Sequence, residues 1–367
     1  METKVSINLV VYNGEKYIRH CLNGILAQTY PHELTEINFL DNNSADKTKE
    51  IIGSWSRENE KLFNKCNLVE LTENIGVWPG QEKLLKYSDG KYVLGLCVDV
   101  ILDKNFIKNA VESMEKDSKI GALQAKIYKY ELTELRITSY PDFIEDPRLQ
   151  SNRDELRKEI IDTLGFQIER SRRITNIGHG RKDEGQFSME KEIFGVEGAC
   201  PFFRREALED CRVQITNSEI FDHDYFWYGD DLDLVWRMNL FGWKQMFIPS
   251  VIAWHDRQTS KSLKKNWLDY IFRVPVRQQI PIRKRRLDWR NTRFTIIKND
   301  YIINFLKDLP YITAREIGVV GYSLLFEPKV FMELPNFLKL LPRIIRKRKM
   351  VMNKARVSPE EIRKWFK

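Results

Sequence analysis

Three carboxylates fall within four positions at Asp230-Asp231-Leu232-Asp233. Like charges that close repel one another unless a cation, a proton or solvent offsets them. The cluster either caps a helix, where carboxylates complement the positive end of the dipole, or works on a proton. A carboxylate that accepts the proton of an attacking hydroxyl is a general base, and Asp231 is assigned that role. Asp230, Asp233 and Trp227 are assigned to contacts with the hydroxyl-bearing acceptor. Asp99 in Val98-Asp99-Val100 and His255 in Trp254-His255-Asp256 each follow an apolar, strand-like run. They are the candidate ligands of a divalent cation, Mg2+ or Mn2+, which favours oxygen donors and leaves positions for phosphate. Such a cation offsets the charge that builds on a departing diphosphate. A base opposite that diphosphate gives direct displacement at a sugar's anomeric carbon, with inversion.

These residues must be positioned by an ordered scaffold, and the first 115 residues describe one. Lys4 to Val11 reads as a buried strand, and Tyr17 to Gln28 carries apolar residues at helical spacing. The unit recurs as Ile37–Leu40 with Lys47–Trp55, Asn67–Leu71 with Pro79–Tyr87, and Tyr92–Val98 with Asn105–Met114. Alternation of this kind specifies an α/β fold with a mostly parallel, doubly wound sheet. Ligands of such sheets bind beyond the carboxyl ends of the strands. The polar stops there are Tyr12-Asn13, Asp41-Asn42-Asn43, Asn74-Ile75-Gly76 and Asp99.

Further on, a short strand is expected over Phe194–Cys200, then helices over Arg204–Cys211 and from Asp230 to about Leu240. Residues 130–190 are highly charged without clear period and read as an insertion or flexible loop on the acceptor side, with a solvated excursion as the plainer alternative. His179, between glycines, reads as an ordinary loop residue. The division is therefore a catalytic domain over 1–265 and a helical, basic region over 266–367.

Composition limits the function classes. The chain has 367 residues, 42% of them hydrophobic, enough for a full core. Its five cysteines show no Cys-x-x-Cys pair, which argues against a zinc site or disulfide scaffold and for a reducing compartment. No secretory signal is expected at the start, and no apolar run approaches the roughly 20 residues of a membrane span. The net charge of +8 is unevenly spread: residues 261–367 hold 26 Lys and Arg against 9 Asp and Glu, and the first 260 hold 34 against 43. Apolar stripes at Ile302-Ile303-Phe305-Leu306-Leu309 and Val330 to Leu341, followed by the cationic Arg343 to Lys349, read as interfacial helices on an anionic membrane surface. The alternative is packing on the core or on another subunit, as in a homo-oligomer.

The ordered series Val10-Val11-Tyr12-Asn13, Asp41 through Asp46, Glu73-Asn74-Ile75-Gly76, Val98-Asp99-Val100, Gly198-Ala199-Cys200, Tyr228 through Leu234, and Trp254-His255 resembles the inverting family 2 glycosyltransferases of GT-A fold. Within them it is similar to the bacterial rhamnosyltransferase and galactofuranosyltransferase group, over about residues 4–300. That resemblance implies that Tyr12, Asn13, Asp41, Asn43, Asn74 and Gly76 bind the donor nucleotide, that Asp99 and His255 hold the metal, and that Asp231 is the base. It implies transfer of a sugar, with rhamnose from dTDP-rhamnose as first choice and a UDP-hexose such as UDP-galactose as the alternative. The acceptor would be a lipid-linked or polysaccharide hydroxyl, in cell-surface glycan synthesis at the cytoplasmic face of the membrane. Cys97 stands where many relatives carry Asp or Asn, and Trp78-Pro79-Gly80 replaces a small, Asn-containing stretch. The rival classes are a basic nucleic-acid binder, which lacks any familiar base-reading motif, and a non-catalytic scaffold.

Overall fold

The structure is a computed structural model that describes residues 3–132, 159–214, 218–226, 228–257, 277 and 280–367. In the first half, strands β1 (Val5–Val11), β2 (Thr35–Asp41), β3 (Lys65–Glu70) and β4 (Tyr92–Leu96) alternate with helices α1 (Ile18–Leu26), α2 (Thr48–Asn59) and α3 (Val77–Leu84). Then come β5 (Val100–Leu102), α4 (Phe106–Glu115), β6 (Ile120–Lys129), β7 (Ile161–Thr163), the hairpin β8 (Phe166–Ile168) and β9 (Ile174–Asn176), and β10 (Lys191–Glu192). Next are β11 (Phe202–Arg204), α5 (Arg205–Asp210), the short pair β12 (Val213–Gln214) and β13 (Ser218–Glu219), α6 (Asp230–Leu240) and β14 (Lys244–His255). Helices α7 (Ile282–Asn299), α8 (Ile302–Lys307), α9 (Leu309–Phe326), α10 (Leu334–Lys354) and α11 (Pro359–Arg363) close the chain.

The main sheet runs β10-β14-β6-β11-β4-β1-β2-β3, with β5 on β14 and β7 on β6. Pairs β1–β2, β1–β4, β2–β3 and β6–β14 are parallel, and β11 lies antiparallel between β4 and β6. The sheet is thus the mostly parallel, doubly wound one expected. Central β1 is buried along its whole length, as strands covered on both faces are. Its register is marked by a polar rung: Asn8, Asn38 and Asn67 pair in line across β1, β2 and β3. Asn38 Nδ2 donates to Asn8 Oδ1 at 3.0 Å and Asn67 Nδ2 to Asn38 Oδ1 at 2.8 Å. A slip of one residue would unpair these buried amides and turn every side chain to the other face.

One face of the sheet is covered by α1, α2 and α4 around Trp55, Phe39 and Phe106, the other by α3, α5 and α6 around Trp236, Phe194 and Phe221. Val351 and Ile362 from the last two helices, and Phe366 beyond them, join this second core. The C-terminal helices are also held by ion pairs. Arg172, fully buried, reaches Asp300 at 2.7 Å and Asp308 at 2.9 Å.

Two expectations change. Phe194–Cys200 is not a strand; β11 begins at Phe202. The apolar run instead feeds single backbone bonds to the sheet, with Cys97 N–H donating to Ala199 O at 2.9 Å and Gly95 N–H to Pro201 O at 3.0 Å. Residues 133–158 lie outside the described part; β7 joins the sheet with Asp162 fully buried, whereas 181–190 are mostly exposed.

Candidate active site

At the ends of β1 and β2 the chain turns through left-handed residues, Asn13 with φ 50° and Asn43 with φ 68°. Asparagine tolerates this conformation better than other side chains. Asn13 locks the two turns together: its N–H donates to Ser44 Oγ at 2.9 Å, and its Oδ1 accepts from Ala45 N–H at 2.9 Å. Tyr12 is 51% exposed beside them. Asp41 is buried. One of its oxygens accepts from Ser44 N–H at 3.1 Å, and the other, Oδ1, has no hydrogen-bond partner. A buried acceptor left unmatched is costly, so this oxygen is a place for a ligand's N–H.

Asn42, which sequence reasoning did not single out, organises the neighbouring loop. Its Nδ2 donates to Asn74 Oδ1 (2.9 Å) and Gly76 O (3.1 Å), and its Oδ1 accepts from Ile75 N–H at 2.9 Å. Gly76 has φ 96°, and a Cβ there would lie 2.5 Å from Phe226 O. Only glycine fits such a position.

On the other side of the sheet's centre, the antiparallel pairing of β5 with β14 brings His255 opposite Val100. His255 Nε2 stands 3.4 Å from Asp99 Oδ2 and Nδ1 stands 2.9 Å from Asp162 Oδ2. Burial alone would lower the His255 imidazole, but the hydrogen bonds to Asp162 and Asp99 outweigh it and lift it to about 10. Asp162 also pairs with Arg257, and Arg257 reaches Glu197 at 2.7 Å. Cys97 is a half-buried thiol whose Sγ lies 3.6 Å from Gly198 O, and desolvation, with the charges of Asp99 and Glu197, pushes it well above its usual range.

Among the described residues no group of three or more His, Cys, Asp and Glu forms a metal cage. A cation that displaces the Nε2 proton of His255 would fit between this imidazole and Asp99 and take its other ligands from phosphate and water. Adjacent ligands of an octahedral Mg2+ with bonds of roughly 2.1 Å lie about 3 Å apart, close to the separation observed.

The carboxylate cluster divides. Helix α6 begins at Asp230, after a turn in which Phe226 (φ 63°), Tyr228 (φ 66°) and Gly229 (φ 85°) are left-handed. Aromatic residues pay strain there, and α7 holds the turn in place: Asn291 Nδ2 donates to Tyr225 O (3.0 Å) and Tyr228 O (2.6 Å), and Arg290 to Asp224 O (2.8 Å). Asp231 is half-buried, and a Cβ on Gly198 would lie 3.2 Å from its Oδ2 and 3.0 Å from the Trp78 ring. Burial, reinforced by the charge of Glu197, raises the Asp231 carboxyl to about 7. Asp230 is buried, and burial together with Asp231 drives it well above the usual range. Asp233 is not brought to the cleft. It is fully buried against Arg237 (2.9 Å), Lys298 (2.8 Å) and Asn299 (2.7 Å), tying α6 to α7. Trp227 lies outside the described residues.

The structure therefore gathers Tyr12, Asn13, Asp41, Asn43, Asn74 and Gly76 at one end of the strands and Asp99 with His255 beyond. It adds Asp162, Glu197 and Arg257, of which Glu197 and Arg257 adjoin quoted motifs, directly before Gly198 and directly after Asp256.

Comparison with known proteins defines the class. Residues 6–212 match the model of Glycosyl transferase family 2, more than half of the chain, and the chain belongs to that family. TuaG of Bacillus subtilis, named for teichuronic acid biosynthesis, is 28% identical over 45% of this chain and 62% of its own length. The poly(ribitol-phosphate) beta-N-acetylglucosaminyltransferase TarS of Staphylococcus aureus is 32% identical over 31% of this chain and 19% of its own. The chain thus matches less than two thirds of the length of either relative. The crystal structure of S. aureus TarS 1-349 with UDP superposes with a TM-score of 0.51 at 17% identity, covering 98% of this chain and 91% of that one. GalNAc-T7 with UDP, GalNAc and Mn2+ superposes with a TM-score of 0.51 at 15% identity, covering 76% and 52%. The fold is of GT-A type, followed by a helical C-terminal region.

Proposed function

We propose that this protein is an inverting glycosyltransferase that moves a sugar from a nucleoside diphosphate to the hydroxyl of a glycan or lipid-linked acceptor in cell-envelope polysaccharide synthesis. The observation that carries the reading is a chain of charged groups: Asp99 lies 3.4 Å from His255, His255 2.9 Å from Asp162, Asp162 2.9 Å from Arg257 and Arg257 2.7 Å from Glu197, and the charges of Glu197 and Arg257 act on the half-buried Asp231. Tyr12 stacks on the base, and the unmatched Asp41 Oδ1 accepts the N3–H that uracil and thymine share. Asn13, Asn43, Asn74 and Gly76 shape the nucleotide's bed. Asp99 and His255 hold Mg2+ or Mn2+, which supplies charge neutralisation for the diphosphate.

Asp231 takes the proton of the acceptor hydroxyl. That oxygen forms its bond to the anomeric carbon as the bond from this carbon to the diphosphate breaks, and the diphosphate leaves with the electron pair. A carboxyl near 7 suits a base working at neutral pH. Asp230 borders the acceptor, and Asp233 keeps α6 seated. The catalytic part ends near 265, with 266–367 bracing it from outside. Between the two donor choices, the names of the relatives favour a UDP-sugar over dTDP-rhamnose, since TarS is named for N-acetylglucosaminyl transfer and is solved with UDP.

A thermal-shift screen of UDP-, dTDP- and GDP-sugars with and without Mn2+ tests the proposal, because a ligand that binds only the native state raises its melting temperature. A uridine or thymidine nucleotide that stabilises the protein only with Mn2+ is the expected result. No stabilisation by any nucleotide sugar would overturn it.

A further inference from the structure

Between residues 301 and 350 the charges are sorted by sign. Every acid is clasped by arginine. Asp308 is held by Arg170, Arg172 and Arg363, Glu316 by Arg293 and Arg315, Glu327 by Arg277 (2.7 Å), and Glu333 by Arg286 and Arg290 (both 3.0 Å). The exposed charges are all cationic: Lys307, Lys329, Lys339, Arg346 and Lys349, none with an ion-pair partner among the described residues.

The same stretch displays large apolar side chains to water. Ile302, Leu306, Ile317, Leu324, Leu325 and Leu338 range from 56% exposed at Leu306 to 76% at Leu325. Helix α9 carries three of the six, and at its Gly318 and Gly321 an added Cβ would meet nothing within 4 Å. Large apolar side chains this exposed on successive helices suit an interaction surface.

We infer that the outer surface of α8, α9 and α10 is a docking face for an anionic lipid bilayer, apolar side chains entering the headgroup region and the five cations meeting lipid phosphates. A second copy of the chain would set cation against cation across the same face. A nucleic acid would match the charge but leave the aliphatic side chains in water. None of the described helices is long and apolar enough to cross a membrane, which fits a surface-seated mode.

The structure narrows the part that the cationic block can take in such a contact. Within Arg343 to Lys349, Lys347 is buried against Asp224 (2.8 Å) and Glu219 (3.3 Å), Arg343 pairs with Asp224 (3.0 Å), and Arg348 donates to Ile297 O (2.6 Å) and Asp300 O (2.7 Å). Only Arg346 and Lys349 of that block face outward.

Flotation of the full chain with phosphatidylcholine vesicles, with and without phosphatidylglycerol, tests the inference. The chain is expected to float with the anionic vesicles and to dissociate as salt rises. Each lysine near such a surface contributes about 1 kcal/mol, so Lys307→Ala/Lys329→Ala/Lys339→Ala is expected to lose about a hundredfold in partition coefficient. Ile302→Ser/Ile317→Ser/Leu325→Ser/Leu338→Ser is expected to abolish flotation while keeping the melting temperature. The inference is overturned by a wild-type chain that does not float at low salt. Flotation untouched by either variant set also overturns it, as does a dimer that forms on this face in light scattering and ignores vesicles.

Discussion

Replacing Asp231 by asparagine separates two consequences of one placement. The carboxyl sits about three units above its ordinary value of 3.8, and each unit is worth 1.36 kcal/mol. The charged form is therefore disfavoured by at most about 4 kcal/mol. Asp231 is only half-buried, so solvent screening reduces the figure to roughly 2 kcal/mol. For a carboxyl raised in the folded state, the native protein holds the extra proton. Stability thus falls as pH rises from about 4 and levels off above about 7. Asparagine carries no charge, so the variant escapes that loss. It is expected to melt ~2–3 °C above the wild type at pH 8, by the entropy scale for a chain of this length, and to show a smaller difference at pH 5. Transfer is expected to fall by roughly 10² or more, because a positioned base contributes on that scale. The wild-type rate should decline as pH falls through about 7. Melting curves at the two pH values and a nucleotide-release assay measure both effects. Near-normal turnover, or a variant less stable than wild type at pH 8, refutes the reasoning.

Other outcomes follow from the same geometry. Asp162→Asn is expected to weaken Mn2+ binding by 10- to 100-fold in a direct titration, as loss of a carboxylate behind a histidine ligand does. Lys347→Ala takes one shared buried cation from Glu219, Asp222 and Asp224, which keep Lys298 and Arg343, and is expected to cost about 1–3 kcal/mol in denaturant unfolding. Gly76→Ala forces a positive φ on alanine and a contact 2.5 Å from Phe226 O. It is expected to cost about 1–3 kcal/mol and to raise the KM for the donor, read from unfolding and kinetics together.

Much of the scaffold was legible because its signals are local. Strand and helix periodicity gave the first four βα units to within a few residues, and Asp230 does open a helix. The polar stops gather at one end of the sheet because parallel strands share a direction. What escaped depends on partners distant in sequence. Asp233 looks like a third active carboxylate until Lys298, 65 residues on, is found against it. Asp162 lies in a segment without period and gains meaning only when β7 pairs with β6 beside His255. Phe194–Cys200 has the composition of a strand, but its backbone serves the β4 edge and the floor beneath Asp231. Lys347 sits in a run that reads as surface charge, and only the acids around Asp222 draw it inward.

The account rests on a cation shared between two side chains of this protein and the donor's diphosphate. Calorimetric titration of UDP into the wild type and Asp99→Ala, each with and without Mn2+, measures that sharing directly. The wild type is expected to bind UDP at least tenfold more tightly with Mn2+ than without it, and Asp99→Ala to lose that gain. Equal UDP affinity under all four conditions would contradict the account.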